Sequence, residues 1–148
     1  MSNANILQSN RAVLMATIDP DAYGAGTLTS DWVSLADFGY IQALVLVGEM
    51  QATSTVDAKL EQATDGSGTG AKDISGKSIT QLTAAGSDDD KQVIINCRDD
   101  ELDVANSFTH VRLSITTATA ASDSAGLILG HDSRYSPETD LASVDEVV

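Results

Sequence analysis

The chain has 148 residues, the usual size of one domain, and 42% of them are hydrophobic, which is enough to build a core. Only 4% are aromatic, so Val, Ile, Leu and Ala must fill that core. Eight Lys and Arg against 22 Asp and Glu give a net charge of -14, which repels nucleic acid and anionic lipid, so we expect neither nucleic acid nor a membrane as a partner.

The two ends of the chain read differently from its middle. The start, MSNANILQSNRAVLMATIDP, lacks the charged beginning and long apolar stretch of a signal peptide. No run approaches the roughly 20 apolar residues of a spanning helix. We expect an N-terminal arm over 1–10, one β domain over 11–137 and a C-terminal arm over 138–148. Cys97 is the only cysteine, which excludes an intrachain disulfide.

Short extended segments separated by turn-rich loops follow one another along the chain. The predicted strands, in order, are RAVLMATI (11–18), DWVSL (31–35), GYIQALVLVGEM (39–50), STVDAKLEQ (54–62), SITQLT (78–83), KQVIINCR (91–98), FTHVRLSITT (108–117) and AGLILG (125–130). A long Gly-bearing loop is expected over 19–30. The stretch 99–107 is the best candidate for a helical turn, and no segment sustains a helical period.

Alternation of apolar and polar residues marks several of these segments as half-buried antiparallel strands. In 108–117, for example, Leu113 is expected to face inward and its neighbours outward. The segment 39–50 differs, because Leu44 and Leu46 make its second face apolar, which predicts a central strand. The fold class is therefore all-β: a single antiparallel β-sandwich or jelly roll of about eight strands with an extended C-terminal arm.

The run TDGSGTGAKD (64–73) follows part of the phosphate-loop pattern G-x-x-x-x-G-K-[ST]. However, Ala71 replaces the glycine that lets the backbone approach phosphate, and Asp73 replaces the hydroxyl that binds magnesium. The residues that follow favour a turn and a strand rather than a helix. We expect an exposed surface loop that binds no nucleotide.

Few residues could carry catalysis. His110 is expected on the polar face of a strand, and Cys97 in the core. The neighbours 131–133 (His-Asp-Ser) cannot form a triad, since successive side chains on extended chain point apart. The acidic runs 87–91 and 98–102 lack the spacing of a calcium loop and read as solvated turns. We therefore expect no enzyme, no cofactor and no bound metal.

A contact with other subunits is the remaining kind of site. Trp32, the lone tryptophan, fits either packing within the domain or an anchor in a subunit contact. The apolar residues of the C-terminal arm would gain from burial against a neighbouring chain. The predicted interface residues are Trp32, Arg134, Tyr135, Leu141, Val144 and Val147.

Four stretches occur in a familiar order: DWVSLADFGYIQALVLVGEM, STVDAKLEQATDGSGTGAKDISGKSITQLT, FTHVRLSITT and GLILGHDSRYSP. Over about residues 28–137 they resemble a group of small β-rich virion proteins of tailed bacteriophages that are encoded near the major capsid protein. The resemblance rests on a strand and loop pattern, without a catalytic signature, and it transfers no functional residues.

This resemblance implies a decoration (cement) protein that stabilises an HK97-type shell. The implied partners are the major capsid protein and further copies of the chain, with a trimer favoured. The implied location is the outer surface of the capsid, with the host cytoplasm during assembly. A neck or tail component, or a host- or carbohydrate-binding β-sandwich module, are the alternatives; few aromatic rings count against sugar binding.

Overall fold

The structure, a computed structural model, describes residues 7–135 and 140–147. Within those ranges the regular elements are strands and single 3₁₀ turns. The strands are β1 (Ala12–Tyr23), β2 (Gly26–Thr29), β3 (Val33–Ser34), β4 (Phe38–Met50), β5 (Thr55–Ala63), β6 (Lys72–Ser78), β7 (Leu82–Thr83), β8 (Gln92–Arg98), β9 (His110–Ala118) and β10 (Ser122–Ser133). The 3₁₀ turns are Gln8–Asn10, Ala84–Gly86, Asp99–Glu101 and Val104–Asn106.

The strands form two antiparallel sheets that pack face to face. The four-stranded sheet has the order β1-β10-β4-β8. The six-stranded sheet has the order β2-β9-β5-β6, with β3 also beside β9 and β7 beside β5. Leaving out the two-residue strands β3 and β7, the first strand pairs with the last, the second with the last but one, and so inward to β5 with β6. This nested pairing is a jelly roll, so the predicted fold class is confirmed.

The core lies between the inward faces of the two sheets. Alternate residues of β4 and β9 are buried there, and Leu113 and Val45, on opposite sheets, are both fully buried. The predicted inward face of β9 is therefore confirmed. The largest fully buried apolar side chains are Val13, Leu35, Ile41, Val45, Val56, Leu60, Val111, Leu113, Ile115 and Ile128.

Two glycines of β10 let side chains from elsewhere approach this strand closely. A Cβ on Gly126 would lie 2.5 Å from Cδ2 of Leu113, which comes from the opposite sheet. A Cβ on Gly130 would lie 2.5 Å from Sδ of Met15 and 2.6 Å from Cε1 of Phe38. All three distances are shorter than any ordinary contact, so neither position accommodates a larger side chain without a shift of its neighbours.

The loop predicted over 19–30 is wrong. Strand β1 continues to Tyr23, and Gly26–Thr29 forms β2. Strand β1 accommodates Pro20 because it is the edge strand of its sheet and its pairing with β10 is irregular between Ile18 and Asp21. Proline is tolerated at such an edge, where it breaks no ladder hydrogen bond.

Two other strand predictions need correction. The expected strand 78–83 is replaced by β6, which ends at Ser78, and by the short β7. Pairing of Gln62 with Lys72 starts β6 within the predicted loop 64–73, so that strand replaces only its last two residues. Strand β10 is longer than 125–130, because β1 and β4 flank it along most of its length. His131 therefore belongs to the strand and does not follow it. The predicted helical turn is present as the two 3₁₀ turns between β8 and β9.

Among the described residues, no helix has the length and apolar composition needed to cross a lipid bilayer. Of the predicted N-terminal arm, residues 1–6 lie outside the described residues, as do 136–139 at the start of the predicted C-terminal arm.

Candidate interaction surfaces

The outer face of the four-stranded sheet is largely apolar. Its residues alternate along each strand with the core residues, and they form four cross-strand rows between His131 and Ala125 of β10. We call the apolar members of the three rows nearest Ala125 the leucine face: Leu14, Leu44, Leu46, Ile94, Ala125, Leu127 and Leu129. Leu46 is 42% exposed and Ile94 is 56% exposed, while the other members are partly exposed.

The polar residues of the same four rows carry little charge. Nε2 of Gln42 donates to Oδ1 of Asn96 at 3.3 Å, beside the leucine face. In the row at one end, the rings of Tyr40 and His131 stack with centroids 5.0 Å apart, and Arg98 stands next to Tyr40. On β4, β8 and β10 none of the four rows holds an Asp or Glu. Carboxylates border the Ala125 end, however: Asp21 and Asp123 line a surface depression together with Leu46 and Ala125. On β1, Asp19 accepts a hydrogen bond from the hydroxyl of Thr17 in the Leu127 row.

The outer face of the six-stranded sheet is charged instead. Nζ of Lys59 lies 2.7 Å from Asp73 and 3.2 Å from Glu61. Nε of Arg112 donates to the same Glu61 at 2.7 Å. The hydrogen bond that Lys59 donates to Asp73, with support from Glu61, raises the pKa of Lys59. We call these four residues the charged face.

The loop that partly follows the phosphate-loop pattern lies in the hairpin between β5 and β6. Oδ1 of Asp65 accepts hydrogen bonds from the backbone N–H of Ser67 at 2.9 Å and of Thr69 at 3.0 Å. The hydrogen bonds from Thr69 are the main reason why the pKa of Asp65 is lowered. The carboxylate thus occupies amides that a phosphate loop would offer to its ligand. Lys72 is engaged as well: its ammonium pairs with Asp103 and lies 4.1 Å from the ring centre of Phe108.

Trp32 packs against this hairpin. Its indole lies over Gly68, where a Cβ would come within 2.6 Å of Nε1, and Gly68 has a φ of +82°. The guanidinium of Arg112 also lies over the Trp32 ring, 4.6 Å from the ring centre. The ring is only partly buried. Trp32 therefore holds the loop to the charged face, and its predicted part in a subunit contact stays a prediction.

Arg134 and Tyr135 lie just after β10. Arg134 forms an ion pair with Asp99, and its backbone N–H donates to the carbonyl of Asp37 at 2.8 Å. Tyr135 is 72% exposed. Beside Arg134 is a small apolar pocket of about 150 Å³. Its lining residues are Leu35, Ala36, Asp99, Leu102, Val104, Phe108, Thr109 and Arg134.

The described part of the C-terminal arm begins on the free edge of β1. The backbone N–H of Leu141 donates to the carbonyl of Leu14 at 2.8 Å, and the N–H of Leu14 donates to Oδ1 of Asp140 at 2.8 Å. The start of the arm therefore contacts its own sheet. Farther along, Val144 is partly exposed and Val147 is 54% exposed, so both keep apolar surface for the predicted subunit contact.

The candidate catalytic residues are held apart or buried. His131 stacks on Tyr40 and shares no hydrogen bond with Asp132 or Ser133. Burial raises the pKa of Cys97 to about 11, which keeps its thiol protonated at neutral pH. In the part of the chain that the structure describes, no three Asp, Glu, His or Cys side chains are grouped to hold a metal.

The acidic runs serve as hydrogen-bond acceptors and ion-pair partners. Asp88 accepts from the N–H of Thr83, and Asp89 accepts from the N–H of Met50, both at 2.9 Å. Glu101 pairs with Lys77 at 2.8 Å. These contacts tie the loops to the sandwich, a role more specific than the solvated turns that the sequence indicates.

The six predicted interface residues contact different elements, and sequence reasoning missed the leucine face. Trp32 lies on the β5–β6 hairpin, Arg134 beside Asp99, and Leu141 on β1. The signal for the leucine face was present in Leu44 and Leu46, but we interpreted it only as the mark of a central strand. β4 is indeed an inner strand, yet its second face remains partly exposed among the residues that the structure describes.

Comparison with known proteins gives little further guidance. No protein-family model and no curated protein matches the sequence. Chains from the structures of infectious bursal disease virus, Gt strain and Gx strain, are similar with TM-scores of 0.46 and 0.45, at 11% and 12% identity. The similarity covers 86% and 84% of this chain and 34% of each of those chains. At this distance it carries no argument about function.

Proposed function

We propose that this protein is a structural component of a virus particle, a decoration (cement) protein of a tailed-phage capsid, without enzymatic activity. The observation that carries the proposal is the leucine face. Although the chain has a net charge of -14, much of one sheet face is apolar. Such a patch is typical of a contact with another protein.

Three further features support this function. The sequence resembles small virion proteins over about residues 28–137. The jelly roll is a fold used by viral capsid domains, although lectins and other proteins share it, so the fold alone assigns no function. The candidate catalytic groups are stacked or buried, as described for His131 and Cys97. In this proposal the protein lies on the outer surface of the shell and contacts the major capsid protein.

The number of copies in the particle tests this proposal. Purified virions should contain this chain in a number comparable with that of the major capsid protein, measured by quantitative mass spectrometry. Electron cryomicroscopy should locate its density on the outside of the shell. A copy number matching a single ring at one vertex would assign the chain to the neck or tail instead. Absence from purified particles would refute the proposed function altogether.

Removal of the protein gives a second readout. Particles assembled without it should release their genome at a lower temperature than complete particles, and added protein should restore the original value. Unchanged thermal release with and without the protein would contradict a cement role, even if the chain were found on the shell.

A further inference from the structure

We propose that the leucine face is a self-association surface, through which two copies of this chain pack sheet against sheet. The inference rests on the proposed function in taking this face as a protein contact, and it names a second copy of the chain as the occupant.

Charge is the first argument for a second copy. Two molecules of net charge -14 repel one another over most of their surfaces. The leucine face itself holds no Asp or Glu, and the carboxylates of Asp21 and Asp123 border it at one end, so two copies can approach with the least repulsion at its centre.

The two ends of the face complement each other. Arg98 stands in the row at one end and is largely exposed, and Asp123 lies beyond the other. A two-fold axis that reverses the strand direction brings the Arg98 end of one copy toward the Asp123 end of the other. Because Arg98 lies on β8 and Asp123 on β10, the opposite charges come to the same margin of the contact without facing one another directly.

Two polar side chains beside the leucine face are paired with each other, whereas Nε2 of His131, in the row at one end, is buried without a hydrogen-bond partner among the described residues. Gln42 and Asn96 form a hydrogen bond with each other, so part of their desolvation cost is already offset. The guanidinium of Arg98 lies 3.0 Å from Asp100 and stays at the margin. Burial of the face therefore traps no isolated charge.

The size of the face is sufficient for a specific contact. The leucine face and the Tyr40–His131 row together span four strands spaced about 4.8 Å apart and four rows about 6.8 Å apart, which gives a footprint of roughly 500 Å². Two such faces bury roughly 1,000 Å², which reaches the lower limit for a specific interface. Sheet-on-sheet packing at about 10 Å is an ordinary arrangement for two apolar sheet faces. The expected complex is a modest, concentration-dependent dimer and not the trimer that the resemblance favours.

Sedimentation equilibrium of the purified full-length chain tests the inference. The wild-type protein should shift from a 15.4 kDa monomer to a dimer as its concentration rises. The double variant Leu46→Glu and Ile94→Glu should raise the dissociation constant by at least about 100-fold, because it places four carboxylates in the contact. Both positions are exposed in the monomer, so circular dichroism and the melting temperature of the dilute protein should stay unchanged.

A matched control uses an exposed apolar residue elsewhere. Val104, which is 62% exposed and lies between β8 and β9, is changed in Val104→Glu, and this variant should dimerise like the wild type. A wild type that stays monomeric at every concentration, or a trimer or dimer unaffected by the double variant, would overturn the inference. If the double variant fails to fold, Gln42→Glu introduces the charge at a polar position and should weaken the dimer on its own.

This assay contains no particles, so a failure here leaves the particle measurements of the proposed function standing, and the reverse also holds.

Discussion

The outer faces of the two sheets differ in almost every respect that matters for contact. On the six-stranded sheet, Lys59, Glu61, Asp73 and Arg112 satisfy one another's charges within the chain. On the four-stranded sheet, the leucine face presents apolar side chains, and nothing charged lies at its centre. A charged face that pairs internally remains in water at little cost, whereas an exposed apolar face gains free energy when another surface covers it.

This difference separates two kinds of information in a strand. The inward residues of both sheets alternate in the same way and build one shared core. The outward residues reflect the surroundings of each sheet. The six-stranded sheet faces water and, in our proposal, the four-stranded sheet faces a second protein surface. The predictions below test first the equivalence of the inner faces and then the difference between the outer ones.

The largest effect is expected in the core, on either sheet. Leu113→Ala should destabilise the fold by about 2–5 kcal/mol, because it leaves a cavity between the sheets. Val45→Ala, on the opposite sheet, should cost less, since it removes fewer buried carbon atoms. Urea denaturation measures both. An unfolding midpoint unchanged by Leu113→Ala would contradict the assignment of this residue to the core.

A smaller loss is expected where the two inner faces approach most closely. Gly126→Ala should cost about 1–3 kcal/mol, because the new methyl group overlaps Leu113 from the other sheet. Gly24→Ala is the matched control, since no atom lies within 4 Å of a Cβ at that position. Equal stability of the two variants would mean that β10 does not pack as closely as described.

Substitutions on the two outer faces should differ in their effect on the stability of the monomer. Arg112→Ala should destabilise the monomer by about 1 kcal/mol, because Glu61 loses one of its two cationic partners and the Trp32 ring loses the guanidinium over it. Leu46→Gln should change monomer stability by no more than about 0.5 kcal/mol, as is usual at an exposed site. Thermal melts of dilute protein compare the two. A larger loss from Leu46→Gln would show that this face is buried within the monomer.

The smallest expected effect is a loss of stability in acid. It arises from the ion pairs that Lys72 and Lys77, both on β6 of the six-stranded sheet, form with carboxylates. The hydrogen bond from Lys77 is the main reason why the pKa of Glu101 is lowered, and Lys72 has the same effect on Asp103. A lowered pKa means that each contribution is fully present above the ordinary carboxyl pKa and is lost as the pH falls through the lowered value. Stability should therefore decline below about pH 4.

The comparison with Glu101→Gln isolates this effect. Acid also relieves repulsion among the other carboxylates, so only the difference between the variant and the wild type is informative. The two unfolding midpoints should differ at neutral pH and converge as the pH falls through the lowered pKa of Glu101. A difference that stayed constant with pH would show that the Lys77 ion pair contributes nothing.

Local patterns in the sequence determined the class of the fold and much of its core. Alternation along residues 108–117 predicts the inward face of β9, and the long apolar segment predicts β4 as an inner strand. Both signals are local, because side chains on a strand alternate with a period of two. The sequence also predicts that the 64–73 loop binds no nucleotide, because Ala71 and Asp73 lack the chemistry that a phosphate loop requires.

The tertiary structure decided the features that depend on distant neighbours. Pro20 lies inside a strand because β1 is at an edge, and β10 is long because it is flanked on both sides. Trp32 rests on Gly68, which is far from it in the chain. The leucine face joins residues of four strands, and each strand alone gives the same apolar pattern whether its second face is covered or open. Burial belongs to the assembled sheet, so the sequence determined which residues are apolar, while only the fold decided which of them remain available for another chain.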